Sequence, residues 1–330
     1  MKLISFLISV CVGLGVLNPN QSCFAIAQEH IIKVDGSSTV FPITEAVAEE
    51  FQSSKKGAVR VTVGISGTGG GFKKFCRGET DIQDASRPIT KEEIEVCTKA
   101  GIRYYELPVA YDAMTIVVNP KNTWVTTLHI DDLKKIWKPQ AQGKITKWNQ
   151  VHPEWPNATL KLFGAGSDSG TFDYFTEVIV GKAKSSRGDY TASEDDNTLV
   201  LGVSNDLYAL GYIPFSYYEL NKSKLKALAI ASFKKEAILP SRKTVVDGTY
   251  APLSRPIFIY VNAAAASKPE VKEFVEFYLN HGEKLTSQVQ GVPLSSKAYA
   301  LALNRFHRGK TGTVFFGESK AGLKIEDLLK

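Results

Sequence analysis

Residues 31–51 read IIKVDGSSTVFPITEAVAEEF, and this stretch decides the architecture. Ile31, Ile32 and Val34 make a short apolar strand, Asp35 to Thr39 make a turn, and Phe41 opens an amphipathic helix that runs through Phe51. The unit then repeats. Val59, Val61, Val63 and Ile65 alternate as a strand, SGTGGG at 66–71 forms a turn, and a second helix starts over Phe72 to Cys76. DIQDASRP at 81–88 reads as a brief strand ending in a polar turn. Successive strand-turn-helix units predict an α/β sheet, and the loops that follow such strands are where open sheets bind ligands.

Two extended runs lie further along, ELPVAYDAMTIVVNP at 106–120 and PLSRPIFIYVN at 252–262. Two long strands of this kind suggest crossovers between two lobes. Residues 28–114 and 255–330 are expected to form one discontinuous lobe, and residues 115–254 an inserted second lobe. The second lobe should hold short helices near His129–Trp137 and Phe172–Val180, and the first should be completed by a helix from Pro269 to His281. Residues 185–197, dense in polar side chains, read as an ordered loop or a mobile rim. A cleft between lobes is a common place for a small ligand.

Ahead of these units stands MKLISFLISVCVGLGVLNPNQSCFAIAQEH. Lys2, an apolar run from Leu3 to Leu17 and the Ala25-Ile26-Ala27 triplet have the form of a secretory signal peptide. The apolar run is shorter than the roughly 20 residues a membrane span needs. Cleavage is expected after Ala27, with Ala25 as the second choice and lipid attachment at Cys23 as a third. Removing 27 of 330 residues leaves 303, a length at which chains divide into two domains. The expected compartment is the periplasm. Cys76 and Cys97 remain after cleavage, and an oxidising compartment favours a disulfide between them; two isolated buried thiols are the alternative.

The formal charge of +6 comes without a dense Lys/Arg stripe, so nucleic acid is not expected as a partner. No H-E-x-x-H or C-x-x-C pattern is present, and no metal or cofactor is expected. GSDSG at 166–170 sets its serine one place late for a nucleophile elbow, and GKTG at 309–312 fails the P-loop pattern because Asn304 stands where glycine is required. A serine hydrolase or phosphatase is therefore a distant alternative.

Three loops share one chemistry: SSTV at 37–40, SGTGGG at 66–71 and SDSGT at 167–171. Each sets hydroxyls and free amides at a helix start, where unsatisfied N–H groups and the positive end of the helix dipole favour anions. N-capping alone would explain any single loop. Three of them, divided between two lobes, point to an anion cleft. Arg87, at the end of a strand in ASRP, is the first candidate to grip an oxyanion with two parallel hydrogen bonds, and Arg187 in SSRGDY is the second. A carboxylate would welcome an oxyanion that keeps a proton and repel one that does not. Asp84, Asp112 and Asp168 are the candidates.

VDGSSTVFPITEAVAEEF, VGISGTGGGFKKFCRGETDI, DASRPI, GAGSDSGTFDYF and YTASEDDN together resemble the PstS family of phosphate-binding proteins, in its SphX-like branch known from cyanobacteria. The resemblance runs from about Ile31 to Leu329. It implies a type II periplasmic-binding fold of two lobes that close on a desolvated phosphate and hand it to the permease subunits of an ABC importer, with the protein acting as a monomer. Binding another oxyanion, or acting as a phosphate sensor, is the alternative duty. By resemblance the ligand set includes Ser38, Thr39 and the backbone N–H of Val40. It also includes Ser66 or Thr68, and Ser169, Gly170 and Thr171. Two departures stand out. Ser86 occupies a position where family members carry an aspartate ligand, and Gly164-Ala165-Gly166 lacks the arginine that precedes the S-G-T triplet. The expectation is that Arg87 supplies the missing guanidinium from the opposite lobe and that a nearby aspartate accepts the proton.

Overall fold

The computed structural model describes residues 30–232, 236–315 and 325–329. The expected signal peptide, with its cleavage sites and Cys23, lies outside the described residues. The first lobe begins with β1 (His30–Gly36), α1 (Phe41–Ser54), β2 (Val59–Ile65), α2 (Gly67–Phe75), β3 (Ile82–Ala85) and α3 (Lys91–Lys99). The chain then enters β4 (Tyr104–Val118), followed by β5 (Thr127–His129), α4 (Ile130–Trp137), β6 (Lys161–Ala165) and α5 (Gly170–Phe175). A π-helical turn at Thr176–Val180 prolongs α5. Next come β7 (Thr191–Ser193), α6 (Asp196–Asn205), β8 (Ala209–Pro214), α7 (Phe215–Leu220), β9 (Lys226–Ala227), β10 (Ala229–Ala231) and α8 (Arg242–Val246). The chain returns through β11 (Ser254–Asn262) and ends with α9 (Pro269–Gln288), β12 (Val292–Pro293), α10 (Ser296–His307) and α11 (Ile325–Leu328).

The main sheet runs β2-β1-β3-β11-β4-β8-β6-β7, with β9 and β12 also pairing β4. β4 serves both lobes: its first part pairs β11 and its last part pairs β8. The apolar core changes at the same point. Ala110 and Ile257 pack in the core of the first lobe, whereas Ala113 and Leu253 pack in that of the second. The fold is thus the two-lobe, type II α/β architecture expected from the sequence.

Register places the functional loops. β1 lies parallel to β2 and β3, with Gly36 opposite both Ile65 and Asp84. The three strands therefore end side by side, and residues 37–40, 66–71 and 86–87 leave from one edge. In the second lobe β6 lies parallel to β7, with Ala165 opposite Ser193, so residues 166–170 and 194–196 leave together.

The structure corrects one element boundary. The glycine run expected as a turn is the opening of α2, which starts at Gly67. Close approach explains the composition. A Cβ on Gly71 would lie 2.0 Å from Gln83 Oε1, and one on Gly67 would lie 2.5 Å from the Asp168 carbonyl across the cleft. Residues 185–197 are likewise ordered in part, containing β7 and the start of α6. A disulfide joins Cys76 at the end of α2 to Cys97 in α3.

Candidate functional site

The loops of the two lobes meet hydroxyl to hydroxyl. Thr39 Oγ1, at the start of α1, lies 3.2 Å from Thr171 Oγ1 in α5. Thr68 Oγ1 in α2 lies 3.1 Å from Ser86 Oγ after β3. Both face Gly170 of the second lobe so closely that a Cβ there would stand 2.6 Å from each oxygen. Thr68 and Ser86 are fully buried, and Ser169 and Thr171 nearly so. The cluster thus gathers Thr39, Thr68, Ser86, Ser169, Gly170 and Thr171. α1, α2 and α5 point their N-termini toward it, which supplies a positive field without a mobile charge.

Several expected members sit elsewhere. Ser66, half-buried, donates to Asp35 Oδ1 at 2.5 Å, so Thr68 and not Ser66 is the hydroxyl brought to the cluster. Val40 is buried, but its amide closes a turn on the Ser37 carbonyl at 3.2 Å and is spent there. Asp168 lies at the lobe boundary. Its carbonyl accepts from the Gly69 amide at 2.9 Å, while its half-exposed carboxylate pairs with Lys73 at 2.9 Å.

Neither expected arginine is free to grip an anion. Arg87 donates through Nε to Asp173 at 2.7 Å and through both Nη atoms to Glu93 at 2.8 Å. Burial opposes its charge, but the two carboxylates outweigh burial and hold the guanidinium above its ordinary value. Arg87 lines a groove of about 590 Å³ with Phe72, Glu93, Asp168 and Asp173, and none of Thr39, Ser86, Thr171 and Arg255 lines that groove. Arg187 is buried in the second lobe, clamped by Asp189 and by the carbonyls of Ile136 and Ile145. Its donors are consumed locally, and its side chain is not brought to the cluster.

The guanidinium at the cluster is Arg255, on β11. Only 3% of it is exposed. Nη1 donates to the Gly170 carbonyl at 2.7 Å, and Nη2 to Thr171 Oγ1 at 2.9 Å and Asp112 Oδ2 at 3.2 Å. Its Nε is buried with no acceptor among the described residues. Burial pulls the Arg255 pKa down while Asp112 opposes, and burial pushes Asp112 up while Arg255 opposes. An arginine inside a strand whose nine residues are all buried must have partners, and that was the signal in PLSRPIF.

The three expected acceptors are thereby sorted. Asp112 is committed to Arg255 and Asp168 to Lys73. Asp84 points away from the cluster, toward Thr44 and Tyr278, and burial holds its carboxyl well above the usual range. A carboxylate that sequence reading missed does reach the site. Asp196, the first residue of α6, accepts from Ser38 Oγ at 2.8 Å across the cleft. Among the described residues no group of three His, Cys, Asp or Glu side chains could hold a metal ion.

Comparison with known proteins agrees with this architecture. The model of the PBP superfamily domain matches residues 24–281. Protein SphX of Synechococcus elongatus is 56% identical over 306 residues, covering 93% of this chain and 90% of the relative. The phosphate-binding protein PstS of Staphylococcus saprophyticus is 37% identical, covering 89% and 88%. A crystal structure of a possible phosphate binding protein from Planctomyces limnophilus superposes with a TM-score of 0.64 at 47% identity, covering 86% of this chain and 99% of that one. A two-lobe sheet, hydroxyl-bearing helix starts facing across the cleft and identity at this level lead to one conclusion: the chain belongs to the SphX and PstS family of the PBP superfamily.

Proposed function

We propose that this chain is a periplasmic solute-binding protein that captures inorganic phosphate between its lobes and delivers it to an ABC-type importer. The relatives named for phosphate support the ligand. Membership of this family makes the chain a binding protein rather than an enzyme. The observation that carries the reading is the chemistry of the cleft. Buried hydroxyls from both lobes gather beside Arg255, which pairs with Asp112 and whose Nε–H has no acceptor among the described residues. A buried, uncommitted guanidinium donor is costly unless a ligand takes it. An oxyanion that accepts several hydrogen bonds at once answers every free donor.

Ser38, Thr39, Thr68, Ser86, Ser169, Gly170, Thr171 and Arg255 form the proposed ligand set. Lobe boundaries are assigned as 28–114 with 255–330, and 115–254. The change of core between Ala110 and Ala113 supports this assignment, with Ala113, Met114 and Val292 the members of the second core that come from outside 115–254. In the proposed cycle phosphate meets one lobe, hinge closure brings the other lobe's donors onto it, and the permease subunits recognise the closed monomer. Closure removes water and strengthens each charge-assisted bond.

Isothermal titration of the ligand-stripped protein tests the reading. Phosphate should bind one-to-one at micromolar affinity or tighter, and sulfate far more weakly. Absence of phosphate binding, or tighter binding of molybdate, would assign the cleft to another oxyanion.

A further inference from the structure

The hydrogen bonds in the cleft give its hydroxyls a polarity. A serine or threonine hydroxyl holds one proton and can both donate and accept, so alone it does not distinguish one oxyanion from another. Incoming donors remove that ambiguity. Thr68 Oγ1 accepts from the Ser86 amide at 3.1 Å, Ser169 Oγ accepts from the Thr171 amide at 3.1 Å, and Thr171 Oγ1 accepts from Arg255 Nη2 at 2.9 Å. Each is left with its own proton to give. Ser38 is set the other way: its Oγ donates to Asp196 Oδ2 at 2.8 Å. Ser38 and Asp196 are 4% and 3% exposed, so water does not restore the choice. The Ser38 carbonyl is held in turn by the Tyr217 hydroxyl at 3.3 Å.

We propose that Asp196 is a positioning residue that turns Ser38 into an acceptor facing the bound anion, so that Ser38 and Asp196 select an oxyanion carrying a proton. This rests on the phosphate reading of the same cleft. The proton of hydrogenphosphate is donated to a Ser38 lone pair, while the Ser38 hydroxyl keeps its own proton directed at the Asp196 carboxylate. Sulfate carries no proton at neutral pH and presents lone pairs to lone pairs. The mismatch leaves a buried acceptor unpaired beside an anion, the kind of penalty that gives large discrimination.

The electrostatics add a pH dependence. Burial pushes the Asp196 carboxyl up to about 7; the Ser38 hydroxyl opposes the shift, while Asp112, Asp195 and Glu194 add to it. Arg255 stands beyond Asp112, and Tyr217 from α7 faces Asp196 with Glu45 of α1 behind it. Once protonated, Asp196 donates to Ser38 Oγ and releases the Ser38 proton toward the anion. The cleft then offers donors only, and sulfate fits.

Sulfate is the informative probe because it does not titrate between pH 6 and 8. Calorimetric titration of the stripped full-length protein should show sulfate binding that tightens as pH falls through about 7. Asp196→Asn should raise the sulfate affinity at pH 8 by about tenfold or more and flatten its pH profile, without a matching gain for phosphate. Ser38→Ala, which keeps the charge of Asp196, should relax the sulfate-to-phosphate ratio similarly, and the double variant should go no further. An equal gain for both anions in Asp196→Asn with no change in Ser38→Ala would reduce the effect to bulk charge and overturn the proposal. So would an unchanged ratio in Ser38→Ala. Failure of the parent protein to bind phosphate would instead overturn the function itself.

Discussion

Gly170 offers a perturbation that separates closure from folding. It opens α5 in the second lobe, and its partners in the clash are all in the first. An alanine Cβ there would stand 2.6 Å from Ser86 Oγ, 2.6 Å from Thr68 Oγ1 and 3.0 Å from Thr68 Cβ. Ordinary contact begins near 3.4 Å, so the lobes must stay apart by about 0.8 Å more than in the closed form. Thr39 and Thr171 already sit at 3.2 Å, and the same displacement takes them out of hydrogen-bond range. Losing two or three charge-assisted bonds to the ligand at about 1.5 kcal/mol each weakens binding by roughly two to three orders of magnitude. No donor is deleted, because the Gly170→Ala variant keeps the backbone amide at that position. Within its own lobe the substitution should help, since alanine exceeds glycine in a helix by about 1 kcal/mol. Calorimetric phosphate titration together with apo-state thermal melts reads both effects. Gly170→Ala should keep or raise the melting temperature and lose most phosphate affinity. Phosphate affinity within a factor of about three of the parent would refute the placement of Gly170 against Thr68 and Ser86.

Three other outcomes follow from the same geometry. Arg255→Lys keeps the charge but cannot serve Gly170, Asp112 and Thr171 together, so phosphate affinity measured by calorimetry should fall by about tenfold or more. Asp84 is fully buried beside the Thr44 hydroxyl, which also lies 3.0 Å from the Tyr278 hydroxyl; burial outweighs the help Thr44 gives the carboxylate, and the raised pKa means that the folded state binds the proton more tightly than the unfolded state does. The stability tied to that proton is complete below the unfolded value near 4 and is lost as pH rises toward the folded value, so Asp84→Asn should gain in urea melts relative to the parent at pH 8 but not at pH 4. The Cys76–Cys97 disulfide closes a loop with a sequence separation of 21, and replacing both cysteines by serine should lower the unfolding free energy by about 3 kcal/mol in the same melts.

How far the sequence carried these conclusions depends on the range of the signal. The βα units were legible because apolar alternation and turn residues act locally, and the two crossover runs showed as extended segments too apolar for loops. The glycine run was misread as a turn because the reason for its glycines, the Asp168 carbonyl and the Gln83 side chain, lies on other elements. Arg87 looked free because it ends a strand beside a proline. Thr90 and Glu93 carried a local warning: they form a capping box at the start of α3, and the Glu93 carboxylate that caps Thr90 also clamps Arg87. Arg255 was legible in principle, since an arginine inside an apolar run must be paired or functional. Asp196 was not. Its neighbours read as a polar loop, and its partner Ser38 lies 158 residues earlier, brought to it only by the closing of one lobe on the other.

The central claim is that phosphate sits among the hydroxyls of both lobes on Arg255, and a crystal structure of the phosphate complex tests it most directly. The anion should lie between Thr39, Thr68, Ser86 and the Ser169–Thr171 segment, with Arg255 Nε donating to it and Arg87 still held by Glu93 and Asp173. Phosphate bound instead in the groove beside Arg87, with Arg255 Nε making no contact to it, would contradict the account.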